Sequence, residues 1–340
     1  MSVSWNMKGI TGCYLARNQY ALLIILLIIS CVTDKHTVHF ENIFEPVLVI
    51  GDTSNVNKQF KCPVVEGKFG WPQVRVDSTG RIYILDRIFF TIDEYNIKGE
   101  HLNHINLVKG KGPGEVIHPV SFAIDDSGGI YVMDNTQMKI NKYHKGKYLD
   151  SFKYLKRSFN MSYIPGYGLI LLNVGPINRS GNIPNTLFQV VNLQNKEING
   201  LGVPMPSADE WGGYSFLIKN DTIWAVSGGG YEVGEYIDFR LVKVFKGDRD
   251  CVPPKYIERG GKTAVAWPAP SGIGSVFVNE DYLFVTTYGE VGNNLDILNR
   301  ETGRVKTSFE NFTGLFEAYD NENNVYISYG SYIAVGKIRF

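Results

Sequence analysis

The chain has 340 residues, and 34 lysine and arginine residues balance 34 aspartate and glutamate residues, so its formal net charge is zero. That balance argues against a nucleic-acid binder, which would carry a basic excess or a basic stripe. Hydrophobic residues make up 44% and charged residues 20%, which permits a buried core and excludes a disordered chain. The abundance of tyrosine (20), phenylalanine (19) and glycine (36) favours short strands joined by tight turns.

Residues 1–30 are predicted to be a lipoprotein signal peptide. Lys8 and Arg17 are the only charges in the segment, and both precede the apolar run Ala21–Ile29. This run is too short to span a hydrocarbon core of about 30 Å, which needs roughly 20 residues. It ends in Ile-Ser-Cys, which resembles the bacterial lipobox and implies lipidation of Cys31. The alternative is a short uncleaved membrane anchor in which Cys31 is an incidental thiol.

The remaining N-terminal residues, 31–44, are predicted to form the lipidated cysteine and a tether. Val32 follows the cysteine where an aspartate would signal retention at an inner membrane, so we expect an outer-membrane lipoprotein, on either face. Two cysteines remain beyond the anchor, Cys62 and Cys251. An oxidising compartment would permit one disulfide between them, but no spacing rule supports the pairing.

A repeat of about 48 residues carries the fold prediction. Four pairs of residues recur at that spacing: Asp77 and Asp125, Tyr83 and Tyr131, Asp86 and Asp134, Tyr95 and Tyr143. Each unit continues through a third strand, a Lys-Gly turn and a fourth strand. Four short strands in a unit of 40–50 residues is the size of a propeller blade.

The later units match the repeat pattern less closely, but their strands can still be assigned. Second strands are predicted near Leu169–Leu172, Thr222–Val226, Tyr282–Thr286 and Val325–Ser328, and third strands at Phe188–Leu193, Arg240–Phe245, Leu295–Asn299 and Ile333–Ile338. The chain ends soon after the sixth third strand, so the N-terminal strand Pro46–Ile50 is expected to complete that blade and close the ring. Closure removes open sheet edges. The prediction is therefore an all-β, six-bladed propeller over 45–340, with seven blades as the alternative.

The repeat pattern consists of a Pro, alternating Val or Ile, an Asp-x-x-Gly element, Ile-Tyr and a final Asp. This pattern resembles that of NHL-repeat propellers. The segment Lys109–Glu115 (KGKGPGE) is similar to a linker of bacterial six-bladed β-propeller lipoproteins. The resemblance is strong over residues 60–155 and loose elsewhere. It implies a fold and an envelope location rather than an activity.

Two sequence elements could be interpreted as ligand-binding sites, but local backbone structure explains both of them better. Asp77–Gly80 and Asp125–Gly128 offer one carboxylate each, whereas calcium needs six to eight converging oxygens. We expect turns in which aspartate accepts a backbone hydrogen bond and glycine takes a positive φ. Lys109–Gly114 lacks the Gly-Lys-Ser/Thr ending and the following helix of a phosphate loop, so we interpret it as a flexible linker between blades.

Strand order predicts which loops share a face. The second-to-third loops and the blade-to-blade linkers lie opposite the Asp-x-x-Gly turns, and three of the five tryptophans fall in those linkers. Such a rim suits carbohydrate or peptide recognition. Alternatively, the Trp-Pro pairs are packing wedges between blades. The candidate ligand-binding residues are Trp71, Arg87, Trp211, Trp267 and Tyr288.

A metal centre is the competing hypothesis. His101 and His104, three residues apart in a predicted strand, are expected to point to opposite faces, so they would not share a metal. Near the channel mouth, the candidate ligands are Asp86, His118, Asp134 and Glu290. No Gly-x-Ser-x-Gly motif occurs, so nucleophilic catalysis has no visible residue.

The leading hypothesis is a non-catalytic, lipid-anchored binding module of the cell envelope, without a cofactor, for a glycan, peptide or protein partner. The alternative is a metal-dependent hydrolase or lyase that uses the channel mouth. A third possibility is a structural envelope component bound through the side of the propeller.

Overall fold

The computed structural model describes residues 40–51, 72–174, 186–208, 213–227, 229–247, 255–259, 262–266, 272–289, 292–329 and 332–340. All 26 strands found in these ranges belong to one compact unit, Phe44–Phe340. The preceding unit is described only at its end, where Phe40–Asn42 forms a 3-10 turn. The signal peptide, Cys31, Cys62 and Cys251 lie outside the described residues.

Six four-stranded antiparallel sheets make up the unit, and each is one blade. Blade 1 contains β2 (Gln73–Val76), β3 (Ile82–Asp86), β4 (Thr91–Tyr95) and β5 (His101–Asn106). Blade 2 contains β6 (Pro119–Ile124), β7 (Gly129–Asp134), β8 (Lys139–His144) and β9 (Lys147–Lys153). Blade 3 contains β10 (Ser158–Ile164), β11 (Gly168–Asn173), β12 (Phe188–Val191) and β13 (Ile198–Leu201).

The second half of the ring repeats this arrangement. Blade 4 contains β14 (Gly213–Lys219), β15 (Thr222–Ser227), β16 (Glu232–Ile237) and β17 (Arg240–Lys246). Blade 5 contains β20 (Gly272–Val278), β21 (Tyr282–Gly289), β22 (Gly292–Asn299) and β23 (Val305–Glu310). Blade 6 contains β24 (Leu315–Tyr319), β25 (Val325–Ser328), β26 (Ile333–Ile338) and β1 (Phe44–Ile50).

The blades close into a ring around their inner strands. The six inner strands contact one another in the order β2, β6, β10, β14, β20, β24 and back to β2. The N-terminal strand β1 pairs antiparallel with β26, as in Leu48 opposite Val335, and becomes the outermost strand of blade 6. The predicted six-bladed propeller, closed by its N-terminal strand, is therefore confirmed.

Burial explains why the repeat is clearest in the second strands. Each second strand is sandwiched between neighbouring blades, so strands such as β3 and β7 are buried at every residue, whereas the outer strand β5 is mostly exposed. Tyr83, Leu85 and Val132 belong to the apolar layer between blades 1 and 2. Burial on both sides of a sheet favours continuous apolar runs.

The Asp-x-x-Gly elements are turns, as predicted. Asp125 Oδ1 accepts hydrogen bonds from the Ser127 and Gly129 backbone N–H groups, at 2.9 and 2.7 Å, and Gly128 has a φ of 78°. Its Oδ2 accepts the hydroxyl of Tyr131, six residues later, at 2.8 Å. The same bonds recur at Asp77 with Tyr83 and at Asp320 with Tyr326. The repeated Asp and Tyr residues therefore join the first two strands of a blade.

Two elements differ from the predictions. Arg240–Phe245 was expected to be a third strand, but it lies in the outermost strand of blade 4, because Glu232–Ile237 forms the third strand. The sequence EVGEYI carries a glycine and two glutamates and so lacks the apolar pattern of a buried strand. In addition, β18 (Lys255–Arg259) and β19 (Lys262–Ala266) form an unpredicted hairpin between blades 4 and 5.

No helix in the described parts of the chain is long and apolar enough to cross a membrane.

Candidate functional site

One face of the propeller, called here the linker face, gathers the second-to-third loops and the blade-to-blade linkers. Arg87 lies on this face, directly after β3, and Tyr288 lies near the end of β21, opposite Gly272 of the inner strand β20. Trp71, Trp211 and Trp267 lie outside the described residues. Arg87 is thus the candidate whose side chain the structure places.

Asp86 and Asp134 stabilise loops of the linker face through their carboxylates. Asp86 Oδ1 accepts the backbone N–H groups of Ile88 and Phe89, at 2.8 and 3.0 Å. Both oxygens of Asp134 are engaged: Oδ1 by the N–H of Thr136 and Oδ2 by that of Ile117, at 2.8 and 2.6 Å. Burial alone would raise the pKa of Asp134, but these hydrogen bonds outweigh burial and lower it.

The proposed channel-mouth metal ligands do not form a group within the described residues. His118 is exposed and its carbonyl accepts the Asn135 N–H at 3.2 Å, while Glu290 lies outside the described residues. The side chains that the structure does bring within metal-ligand distance of one another are Asp93, His101 and His104, on the outer edge of blade 1. The expectation that the two histidines point to opposite faces is wrong, because a β-bulge between them changes the alternation.

A polar cluster in the central channel joins three blades through Arg75 of β2. The Arg75 Nη2 atom donates to Asn160 Oδ1 at 2.8 Å and to the Met161 carbonyl at 3.0 Å, both on β10. Its Nη1 atom donates to its neighbour Val74 at 2.8 Å and, at 3.5 Å, to the Glu317 carbonyl on β24. One guanidinium therefore bridges blades 1, 3 and 6.

Bulges in the inner strands place the partners of Arg75. The register of β24 shifts between Phe316 and Ala318, so that Glu317 is the additional residue. The register of β10 likewise shifts between Ser158 and Met161, a stretch that includes Asn160. Bulges re-aim side chains and are common beside functional sites. Here they supply the channel with a carboxylate and an amide.

The electrostatics of the cluster bring the titration of Glu317 close to neutral pH, where the protonated and charged forms are both populated. Burial raises the pKa of Glu317 to about 7, although the positive charges of Arg75 and Arg87 and a hydrogen bond from the Val74 N–H oppose the rise. Burial also lowers the pKa of Arg75 to about 10, which leaves the guanidinium charged at pH 7. The channel therefore carries a net positive charge whenever Glu317 is protonated.

Several buried polar atoms have no hydrogen-bond partner among the described residues. They include Gln73 Oε1 and Arg75 Nε in blade 1, Thr287 Oγ1 in blade 5 and Ser328 Oγ in blade 6. Gln73, Thr287 and Ser328 lie at the strand ends that face the linker side. Buried polar groups are normally paired, and an unpaired one marks a place for water, an ion or a ligand.

Apolar side chains surround the positive charge on the linker face. Phe89, beside Arg87, is 51% exposed, and Leu155, in the linker between blades 2 and 3, is 52% exposed. Phe159, at the start of β10, is 38% exposed. The exposed Arg157 lies between the latter two in sequence. Basic and apolar groups thus alternate along the loops of blades 1 to 3.

Three acidic side chains of this face, among the residues that the structure describes, already have partners within the protein. Glu232 Oε1 lies 3.0 Å from the Lys246 ammonium, and its Oε2 accepts the Ser207 N–H at 2.9 Å. Together with Asp86 and Asp134, it has its charge compensated within the protein. These three carboxylates therefore do not depend on Arg157, which is exposed, for a partner.

Hydrogen bonds to the protein, including one accepted by its own Glu115 side chain, hold the linker Lys109–Glu115 in place. Glu115 Oε2 accepts the Gly112 N–H at 2.7 Å. Tyr143 donates to the Gly114 carbonyl at 2.6 Å, and Lys139 to the Gly112 carbonyl at 2.9 Å. These contacts support the interpretation as a blade linker rather than a phosphate loop.

Sequence reasoning missed Arg75, Asn160 and Glu317. A signal existed for Arg75, because a charge inside the short apolar strand Gln73–Val76 is unusual, and blade 2 has Ala123 at the equivalent position 48 residues later. Asn160 and Glu317 had no such signal, since the bulges that aim them into the channel are not visible in the repeat.

Comparisons with known proteins agree with the fold. A family model described as 6-bladed beta-propeller matches residues 72–163, which span blades 1 and 2 and most of the first strand of blade 3. No curated protein matches the chain.

Solved structures extend the likeness to most of the chain. The "Putative exported protein" of Bacteroides fragilis NCTC 9343 is 12% identical, with a TM-score of 0.54, over 89% of this chain and 97% of that one. A DUF4221 family member from Bacteroides vulgatus ATCC 8482 is 14% identical, with a TM-score of 0.54, over 88% and 98%. Virginiamycin B lyase from Staphylococcus aureus is 12% identical, with a TM-score of 0.51, over 78% and 79%. At these identities the likeness shows the fold alone.

Proposed function

We propose that the propeller is a non-catalytic binding module of the cell envelope that holds an acidic, apolar peptide segment of a partner protein on its linker face. The observation that carries the proposal is the combination of Arg87, Arg157 and exposed Phe89 and Leu155 around a channel with unpaired polar atoms. A peptide with both carboxylates and apolar side chains complements both components of this surface.

The division of roles follows from the geometry. Apolar anchors of the peptide pack against Phe89, Leu155 and Phe159, and so remove exposed apolar area from water. A carboxylate of the peptide accepts hydrogen bonds from Arg87, whose planar guanidinium suits bidentate recognition. Arg75 stays in the channel as a fixed positive charge, because its Nη atoms are engaged with protein acceptors.

The test uses fluorescein-labelled peptides in which Asp or Glu alternates with Leu or Phe, titrated with the full chain by fluorescence anisotropy. We expect binding that weakens as salt rises, and weaker binding of matched peptides with Asn or Gln. Loss of one charged hydrogen bond, about 1.5–3 kcal/mol, predicts roughly 10–150-fold weaker binding to Arg87→Gln.

The matched control is Arg304→Gln. Arg304 carries the same side chain, is exposed, and lies in the turn between β22 and β23, on the opposite face. The proposal fails if Arg87→Gln binds as tightly as the wild type, or if amide and acidic peptides bind equally. Binding of neutral oligosaccharides with the same dependence on Arg87 would also refute the peptide specificity.

The proposed location is the outer membrane, through a lipid on Cys31 after removal of residues 1–30. The apolar run, the lipobox-like ending and the adjoining Val32 support this part of the proposal. Metabolic labelling with a palmitate analogue should label the wild-type protein and leave Cys31→Ser unlabelled. Equal labelling of both proteins would contradict lipidation at this residue.

A further inference from the structure

We propose that Asp93, His101 and His104 form a binding site for a divalent transition metal ion, with zinc as the reference ion, on the outer edge of blade 1. The site is separate from the linker-face site and does not depend on the proposed peptide binding. It is built by a backbone irregularity rather than by the regular strand pattern.

The β-bulge of blade 1 brings the histidines together. Tyr95 pairs with His101 while Glu94 pairs with Asn103, so Leu102 is an additional residue in β5. The separation of His101 and His104 then counts as two steps of the pleat instead of three, and both side chains project to the same side. Asp93 lies directly opposite His104 on β4 and completes the group.

The three side chains converge on one carboxylate oxygen. Asp93 Oδ1 lies 2.7 Å from His104 Nδ1 and 3.0 Å from His101 Nε2. One ligand atom from each residue lies within 4.8 Å of the other two. Tetrahedral zinc bonds of about 2.0–2.2 Å require ligands that are slightly farther apart than a hydrogen bond. The imidazole nitrogens must therefore move away from Asp93 Oδ1 by roughly half an ångström to admit the ion.

Neighbouring groups orient two of the ligands. Thr91 donates its hydroxyl to Asp93 Oδ2 at 3.3 Å, which leaves Oδ1 directed at the imidazoles. Asn106 Oδ1 lies 3.1 Å from His104 Nε2, so it accepts that N–H while the Nδ1 atom serves as the ligand. Metal-bound histidines commonly donate their second ring N–H to such an acceptor, which fixes the tautomer.

The ligand set selects the kind of metal ion. Two imidazoles and one carboxylate suit zinc, copper or nickel, whereas calcium and magnesium prefer oxygen ligands throughout. Asp93 has a 16% exposed side chain, while His101 and His104 are 48% and 43% exposed. The carboxylate is thus anchored in the sheet, and the open side of the ion faces solvent, where water supplies the fourth ligand.

The experiment measures zinc binding to the full chain, without an affinity tag, by competition with a chromogenic zinc chelator. The variants are His101→Gln, His104→Gln and Asn106→Leu, and Asn106→Asp tests rescue because it restores the acceptor. His144→Gln, at the end of β8, is the matched control. Thermal unfolding verifies that each variant is folded, which is expected since these side chains lie on the surface.

We expect one zinc ion per chain at this site in the wild type and in His144→Gln. Asn106→Leu should weaken binding roughly 10–100-fold, as the loss of an orienting partner does, and Asn106→Asp should restore it. Both histidine variants should lose more affinity than Asn106→Leu. Wild-type affinity in His101→Gln and His104→Gln would overturn the proposal, as would zinc binding that is instead lost in His118→Gln.

Discussion

The Glu317→Gln substitution tests the electrostatics of the central channel. Glutamine has the same shape as protonated glutamate and keeps an oxygen that accepts the Val74 N–H. The variant therefore resembles the wild-type protein at low pH and lacks the buried negative charge at high pH. The difference in unfolding free energy between the two proteins isolates the ionisation of this one carboxyl group.

The magnitude follows from the shift in pKa. Burial raises the pKa of Glu317 from 4.5 to about 7, so the folded state binds more protons than the unfolded state between these two values. The contribution of Glu317 to the unfolding free energy must therefore fall as pH rises through this window and level off above pH 7. At about 1.36 kcal/mol for each pKa unit, the Gln variant gains at most about 3 kcal/mol relative to wild type.

Urea denaturation at pH values between 4 and 8.5 measures this difference. We expect Glu317→Gln to match the wild type near pH 4, below the unfolded-state pKa, and to be the more stable protein at pH 8. Glu310→Gln, at an exposed position of β23, is the control, and its difference in stability from the wild type should not grow in this way. A difference between wild type and Glu317→Gln that does not change with pH would refute the assignment of a raised pKa to this group.

Three further predictions concern the stability of the fold, and each is checked by the midpoint of urea unfolding. Arg75→Met should lower the unfolding free energy by about 3–5 kcal/mol, because acceptors on β10 and β24 lose their donor. Asp134→Ala should lower the unfolding free energy by a similar amount, since its carboxylate accepts four hydrogen bonds. If the variant lost a bound metal ion but kept the wild-type stability, the structural role of Asp134 would be contradicted. Gly114→Ala should also destabilise the fold, because the φ of Gly114 is 72° and a methyl group there would lie 2.7 Å from the Tyr148 ring. Gly128→Ala is the control: its φ is also positive, but a methyl group there meets no atom within 4 Å, so the loss of stability should be smaller.

Local chemistry made most of the fold predictable. The Asp and Tyr residues of each blade repeat because one carboxylate closes the first turn and binds the tyrosine hydroxyl, as at Asp125 and Tyr131. The same pattern at Asp320 and Tyr326 located the sixth blade despite its divergence. The exception, the third strand Glu232–Ile237, carries polar residues whose burial depends on neighbouring loops rather than on its own pattern.

The candidate sites were predictable only as far as regular strand geometry determines them. Strand order placed Arg87 on the linker face correctly. The convergence of Arg75 and Glu317 depends on ring closure and on a bulge in β24, and neither is a local property of the sequence. Similarly, the bulge at Leu102 reversed the expected orientation of His101 relative to His104.

Hydrogen–deuterium exchange of the full chain, with and without a saturating acidic–apolar peptide, tests the central claim most directly. The account predicts slower exchange of backbone amides in the loop after β3 (residues 87–90) and in the linker between β9 and β10 (residues 154–157). It predicts no change in the turns of the opposite face, such as residues 126–128. Protection confined to those turns, or to the outer strands, would contradict ligand binding on the linker face.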